Sequence, residues 1–469
     1  MKRVIACLLA VVLAAVTGCQ ARAEQLRPAL AEDGEIYFYM EPFPTGAGRL
    51  SFSLEGIYAV AGDGTLIPLG LRMARFSFKF DSRQRLAAWG VLPPGRYKGL
   101  AFKVRNASLE RAEGGKADLL VPGKPVREDF PFSVEQKQAA VIAADLVSDN
   151  AVKAGFSFTP AFDMKIPVKP VDALLGYVVN YGSNDVTIFD KAAMEVTGVI
   201  PTGPGPVSMV LDRELKRGYI SISGEDTIDV IDMVSGSIIR RIQLNPGDAP
   251  RELALTPDNK TLLCINSGSD TVSVIDPVSY IETSRIKVGT QPLTISLDRV
   301  GGRAYVFNYF SNTVSIIDIP SGTVVATVTT DLTPLRGEFS RNGDKFYVIN
   351  EGSPYLTAID PATLSIVKRQ FAGMGMRAIK VDPHTDLIYI GKEGDPNIEV
   401  YNPFTLMPED YIKGGRDVSF MAIDGDENNL CVTDPGENAL LFINLASREI
   451  ASKIDVGEDP VWVTMVGER

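Results

Sequence analysis

Four arginines, Arg251, Arg336, Arg377 and Arg416, recur near comparable points of the chain. A guanidinium stays charged and presents a planar fork of donors, so four that converged could grip a carboxylate or phosphate bidentately. Acidic neighbours lie alongside at Asp248, Glu252, Asp331, Glu338 and Asp417, and an internal ring of ion pairs is therefore preferred to an anion site. Four asparagines, Asn180, Asn266, Asn308 and Asn350, recur in step with them. Asparagine at a strand end ordinarily caps a tight turn through its own side chain, a reading preferred here to ligand contact. Aromatic Tyr181, Tyr309, Phe310, Tyr355 and Trp462 stand near the same points and would suit contact with a protein or glycan. Isolated exposed aromatics can equally carry no function.

Other chemistries find little support. Covalent haem needs Cys-x-x-Cys-His or axial histidines, yet the chain has one histidine, His384, in the turn Asp382-Pro383-His384-Thr385-Asp386. A solvated turn residue is the preferred reading for it. The turn Asp424-Gly425-Asp426-Glu427-Asn428 offers alternating oxygens to Ca²⁺, but it falls at a hairpin position and lacks the remaining ligands of a known loop. No catalytic set, metal or cofactor is therefore assigned. Formal net charge is −11, which argues against nucleic acid as partner, since phosphate binding relies on clustered Lys and Arg.

The elements that must position these residues are repeats. Aligned on a tyrosine, the unit returns at Tyr177, Tyr219, Leu263, Tyr305, Tyr347, Tyr389 and Cys431, in steps of 42, 44, 42, 42, 42 and 42 residues. A closing acid or amide gives the same steps at Asp190, Asp232, Asp276, Asp318, Asp360, Asn402 and Asn444. Each unit holds four short strands, the first opening at Pro206, Pro250, Pro292, Pro334, Met376, Val418 or Pro460. Four-stranded repeats of this length are the blades of a β-propeller. The first repeat enters at its second strand, and the chain ends on a spare first strand, Pro460 to Val466; pairing the two closes seven blades. Loops leading into the innermost strands and those joining second to third strands then share one face around the channel mouth, which is the candidate site. Cys264 and Cys431 fall in equivalent repeats where apolar residues are usual, so both read as buried free thiols.

The strings YVVN, CINS, VFNY and YVIN with a following TVSVID resemble the YVTN family of propellers, found in bacterial and archaeal surface and exported proteins. The resemblance runs from Gly176 to Val466 and departs at Ile222 and Lys392, where the family asparagine is missing. Propeller lactonases of the metal-dependent type set acidic and asparagine ligands at the mouth. Arg336, Glu338 and the asparagines only approximate them, so a lactonase-like hydrolase stands as the alternative. An accessory subunit of an exported redox complex, its cofactors held by partners, is a further reading.

Ahead of the repeats, residues 35–163 show strands without the long period: EIYFYM, RLSFSLEGIYAV, RFSFKF, GLAFKV and AAVIAADLV. Alternation in Leu100, Phe102 and Val104 against Ala101 and Lys103 fits half-buried antiparallel strands, and the whole reads as a β-sandwich. The segment LPPGRYKGLAFKVRNASLE, with the LLVPGK, FPFSVEQ and DLVSDNAVKAG stretches after it, resembles a sandwich-type domain of unknown function common in bacterial lipoproteins. A proline-marked stretch, 164–173, reads as an extended linker to the propeller at 174–469, with the sandwich as a spacer or adhesive module. At the start, Lys2 and Arg3 precede an apolar run ending in Val16-Thr17-Gly18-Cys19, which resembles the lipobox of bacterial lipoproteins. That resemblance implies a signal peptide at 1–18, a lipidated Cys19, a tether at 19–34 and anchoring in the cell envelope. Gln20 after the cysteine implies passage to the outer membrane. An ordinary signal peptide cut after Ala21-Arg22-Ala23 is the other reading. Envelope protein or glycan is the expected partner, with the membrane reached only through lipid.

Overall fold

The computed structural model describes residues 30–468, except 44–48, 78–82, 111–114, 154 and 426–427. Cys19 and the segment around it lie outside the described residues. No helix among the described residues is long and apolar enough to cross a membrane.

Seven four-stranded antiparallel sheets occupy the repeat region. Blade one combines Leu175–Asn180, Asp185–Asp190 and Glu195–Pro201 with the last strand of the chain, Pro460–Met465. That last strand is innermost, pairing Gly176 with Met465, Val178 with Val463 and Val179 with Trp462. Blades two to seven follow in chain order, with innermost strands Pro206–Asp212, Pro250–Leu255, Pro292–Leu297, Pro334–Phe339, Met376–Val381 and Phe420–Asp424. Proline at the first position of a strand costs no ladder bond, which suits it to this repeated start.

The closing acid or amide of each unit has a physical role. Its side chain accepts backbone N–H groups two or three residues on, as Asp190 does from Ala192 and Ala193, Asp276 from Val278 and Ser279, and Asn444 from Ala446 and Ser447. At the end of the same turn Met194, Gly236, Tyr280, Gly322, Leu364, Leu406 and Arg448 all take positive φ, between 53° and 70°. The acid or amide thus supplies the local hydrogen bonds that hold a tight turn between third and fourth strands.

The sandwich has a five-stranded and a six-stranded sheet around Phe38, Phe52, Phe102 and Phe158. Its pairing is not wholly antiparallel, because Gly34–Met40 runs parallel to Ala139–Leu146. The strand Phe162–Lys165 carries the sandwich two residues past the expected boundary, and a 3-10 turn at Asp172–Leu174 leads into blade one.

Residues 166–171 carry no regular secondary structure, as in the expected linker, and the sandwich ahead of them docks against the propeller. Gly34–Met40 is buried on both faces. Ile36, Phe38 and Met40 face the sandwich core, while Tyr37 and Tyr39 join Leu86 and Val141 against Phe189, Val196 and Val199 of blade one and Phe442, Ile454 and Val456 of blade seven. Polar groups complete the contact. The Tyr37 hydroxyl donates to Asp185 at 3.2 Å, Arg85 Nε and the Leu86 N–H donate to the Asp455 carboxylate at 2.8 and 3.1 Å, and Arg72 meets Glu458 at 2.5 Å. The sandwich therefore lies across the seam where the ring closes.

Candidate functional site: the channel mouth

Innermost strands line the channel, and in blades two to six their first residues break register. Shifts between Pro206 and Met209, Pro250 and Leu253, Pro292 and Thr294, Pro334 and Arg336, and Met376 and Ala378 mark a bulge in each. A bulge lets two consecutive side chains reach the same side of a strand. Arg251 and Glu252 accordingly both line the channel, as do Leu293 with Thr294 and Leu335 with Arg336.

Glu252 and Arg336 meet across the channel. Arg336 donates from both terminal nitrogens to the two Glu252 oxygens at 3.0 and 2.9 Å, a bidentate pair joining blades three and five. Its guanidinium lies 4.8 Å from the Phe420 ring centre and 5.4 Å from that of Trp462, and those two rings stack at 4.0 Å. Trp462 Nε1 donates to the Met209 carbonyl at 2.8 Å. Burial raises the Glu252 carboxyl above its usual range, with the Arg336 charge opposing. Together these residues form a plug that divides the channel into two vestibules, both of which Glu252, Arg336 and Trp462 line.

The mouth vestibule encloses about 430 Å³. Leu293, Leu335, Val207 and Val461 give it apolar walls, and Tyr181, Arg251, Arg377, Asp417 and Ser419 bring polar groups. Hydroxyls at the innermost strands are spent on joining blades: Ser208 donates to the Arg251 carbonyl at 3.0 Å, Thr294 to that of Leu335 at 2.5 Å and Ser419 to that of Pro460 at 2.9 Å. Arg377 meets Glu393 at 3.3 Å. Burial draws Arg251 below the usual guanidinium range, Tyr181 and Glu252 opposing.

The far vestibule, about 300 Å³, holds Glu338, Lys380 and Glu468. Lys380 lies 3.6 Å from Glu468. Burial raises the Glu338 carboxyl, the Lys380 and Arg336 charges opposing. For Lys380 burial lowers the ammonium, but Glu338 and Glu468 outweigh it and the net shift is upward. His384 belongs to this end, where its backbone carbonyl accepts Arg341 Nη1 at 2.8 Å.

The residues singled out in the sequence thus separate. Arg251, Arg336 and Arg377 line the mouth vestibule, whereas Arg416 is exposed at the rim and does not. Asn180, Asn266, Asn308 and Asn350 are 0% exposed, inside the blades, and so are not mouth contacts. Three of them tie second strand to third: Asn266 Nδ2 donates to the Thr271 and Ser273 hydroxyls, Asn308 to those of Thr313 and Ser315, and Asn180 to Asp185 and Thr187. Capping of a local turn is thereby replaced by a cross-strand bridge. At the two departures the partner changes as well. Lys392 meets Glu399 at 2.6 Å where other blades pair Asn with a hydroxyl, and in the blade of Ile222 the equivalent hydroxyl position holds Asp229, whose carboxylate turns to Arg241 at 2.7 Å.

Tyr309 stays at the rim, donating to Glu351 at 2.7 Å beside Phe310, which is 63% exposed. Trp462 belongs to the plug rather than to the outer surface. Glu338 opens on the far vestibule, away from the mouth, so the hydrolase alternative loses both its acid and its asparagines. Asp424 is taken by Lys191 at 2.9 Å, and Asp426 and Glu427 lie outside the described residues. Among the described residues no group of three or more His, Cys, Asp or Glu is placed to hold a metal ion. Cys264 and Cys431 are buried and free, and burial pushes both thiols up.

Sequence reasoning missed Phe420 in the plug and Lys191 at the seam. Lys191 left a trace, since equivalent positions hold Met233, Pro277, Ile319, Pro361, Pro403 and Leu445, none of them charged.

Comparison with known proteins agrees on the fold. Residues 249–395 match the model of the YNCE-like beta-propeller family, which is less than half of the chain. No curated protein matches the chain. Among solved structures, Kuenenia stuttgartiensis hydrazine synthase is similar at 17% identity and a TM-score of 0.53, over 59% of this chain and 93% of that one. A functionally unknown protein from Desulfotomaculum acetoxidans DSM 771 is similar at 13% identity and a TM-score of 0.55, over 62% and 98%. At such identities the likeness is one of fold.

Proposed function

We propose that the chain is an exported binding or scaffold lipoprotein, anchored through Cys19 in the bacterial envelope and without catalysis of its own, whose propeller docks a protein or glycan at the channel mouth. The observation that carries the binding reading is the mouth itself. It is concave and open, and its rim presents Phe310, Tyr309, Leu332 and Arg416, with Phe310 and Leu332 63% and 61% exposed. Aromatic and arginine side chains supply most of the energy of typical interfaces. Anchoring rests on the lipobox-like Val16 to Cys19, and outer-membrane placement on Gln20.

Capture from intact envelopes tests this. A partner retained by the wild type should be lost with Phe310→Ala and Arg416→Ala together, and kept with Arg341→Ala at the opposite end of the channel. Failure to retain any specific partner across several growth conditions, or retention indifferent to the rim variant, contradicts mouth docking. Anchoring is checked separately: Cys19→Ala should give soluble protein or unprocessed precursor, and unlipidated wild-type protein starting at Glu24 would refute it.

A further inference from the structure

Nearly every polar group of the mouth vestibule has a partner within the fold. Glu252 and Arg336 hold each other, Arg377 meets Glu393, and the Ser208, Thr294 and Ser419 hydroxyls bridge blades. Two side chains differ. Arg251 Nε and Asp417 Oδ1 are both buried and neither has a hydrogen-bond partner. They do not serve each other, although one belongs to blade three and the other to blade seven around the same channel.

Leaving a buried polar atom unsatisfied is costly, and more so for a charged group. Arg251 keeps its charge even when drawn below its usual range, because guanidinium remains protonated in proteins. Leu335, Val461 and the Trp462 ring line the same vestibule and offer an apolar bed. The volume, about 430 Å³, falls within the range of small-molecule sites, about 300–1,000 Å³.

We propose that the mouth vestibule binds a small zwitterion, its carboxylate on Arg251, its ammonium on Asp417 and its apolar body against Leu335, Val461 and Trp462. A simple anion would satisfy Arg251 and be repelled by Asp417. A simple amine would do the reverse. Only a molecule carrying both charges pairs both groups, and a guanidinium favours carboxylate because two parallel N–H donors match its two oxygens. Free amino acids and short peptides share this chemistry and differ in the distance between their charges. The inference rests on the mouth as the working face but not on any macromolecular partner.

Calorimetric titration of the mature chain with L-phenylalanine and with alanyl-phenylalanine tests it, each probe beside its N-acetyl and its C-terminal amide derivative. The better probe distinguishes amino acid from peptide. Blocking either end should weaken binding about tenfold or more, equivalent to about 1.4 kcal/mol. Arg251→Gln should remove the advantage over the amide, and Asp417→Asn the advantage over the N-acetyl form. Thermal melts of the same samples verify that both variants are folded. Absence of binding by either probe at millimolar concentration overturns the proposal, as does binding that both variants leave unchanged. If envelope capture succeeds while these titrations fail, the vestibule ligand falls and rim docking stands; the converse result separates them equally well.

Discussion

The seam and the mouth treat charge in opposite ways. At the seam, Lys191 and Asp424 are 0% and 1% exposed, and the ammonium also donates to the Val466 carbonyl at 2.7 Å. Asp455 receives Arg85 and the Leu86 N–H, and Glu458 receives Arg72. At the mouth, Arg251 and Asp417 keep buried atoms without partners. A fold selected for stability alone would have paired or removed them, since breaking or orphaning a buried charge is costly. The contrast assigns the seam to holding the ring shut and the mouth to a ligand.

The largest effect should come from deleting residues 458–469. This removes the innermost strand of blade one, with Val463 and Met465 at 0% and 1% exposure, together with half of the plug's aromatic pair. Each fully buried large apolar side chain is worth about 1.5–3 kcal/mol, and a domain's whole margin is about 5–15 kcal/mol. Cooperative melting should be lost or strongly lowered. An unchanged melting temperature would mean that the seam contributes nothing and the contrast is void.

Acid should produce the smallest effect. Asp232, Asp276 and Asp360 are held below the usual carboxylate range first by backbone N–H donors of the following turn, and Asp318 first by the Ser321 side chain. A depressed carboxyl contributes stability that is full above its unfolded value, about 3.9, and is lost as pH falls through the folded value. Melting temperature should therefore drop below about pH 4. Blades six and seven use Asn402 and Asn444 at this position, so replacing the four aspartates by asparagine keeps the turns and should flatten the acid limb. A limb of unchanged steepness in the fourfold variant would show that these turns do not set acid sensitivity.

The architecture was legible in the sequence wherever it repeats. The anchors at Tyr177 and Asp190 recur because each blade needs the same buried tyrosine or its substitute and the same turn, so ring closure could be counted in advance. Sandwich docking could not, because its residues occur once each: Tyr37, Arg72, Arg85 and Leu86 meet partners more than a hundred residues away, with no repeat to expose them. One signal was present, in that EIYFYM is apolar without alternation, as expected of a strand covered on both faces. At the mouth, the four arginines looked alike in sequence. Their difference depends on the cross-channel partner, which Arg336 finds in Glu252 and Arg251 does not find.

The most direct measurement is a pair of melting temperatures, for Lys191→Ala and Arg251→Met. Lys191→Ala strips the ammonium from a buried carboxylate, a change that costs about 3–5 kcal/mol in comparable pairs, so its melting temperature should fall by many degrees. Arg251→Met removes a buried charge that the fold does not pair and should leave the melting temperature unchanged or higher. A marked fall with Arg251→Met, or none with Lys191→Ala, would contradict the division between a seam that holds the ring and a mouth reserved for a ligand.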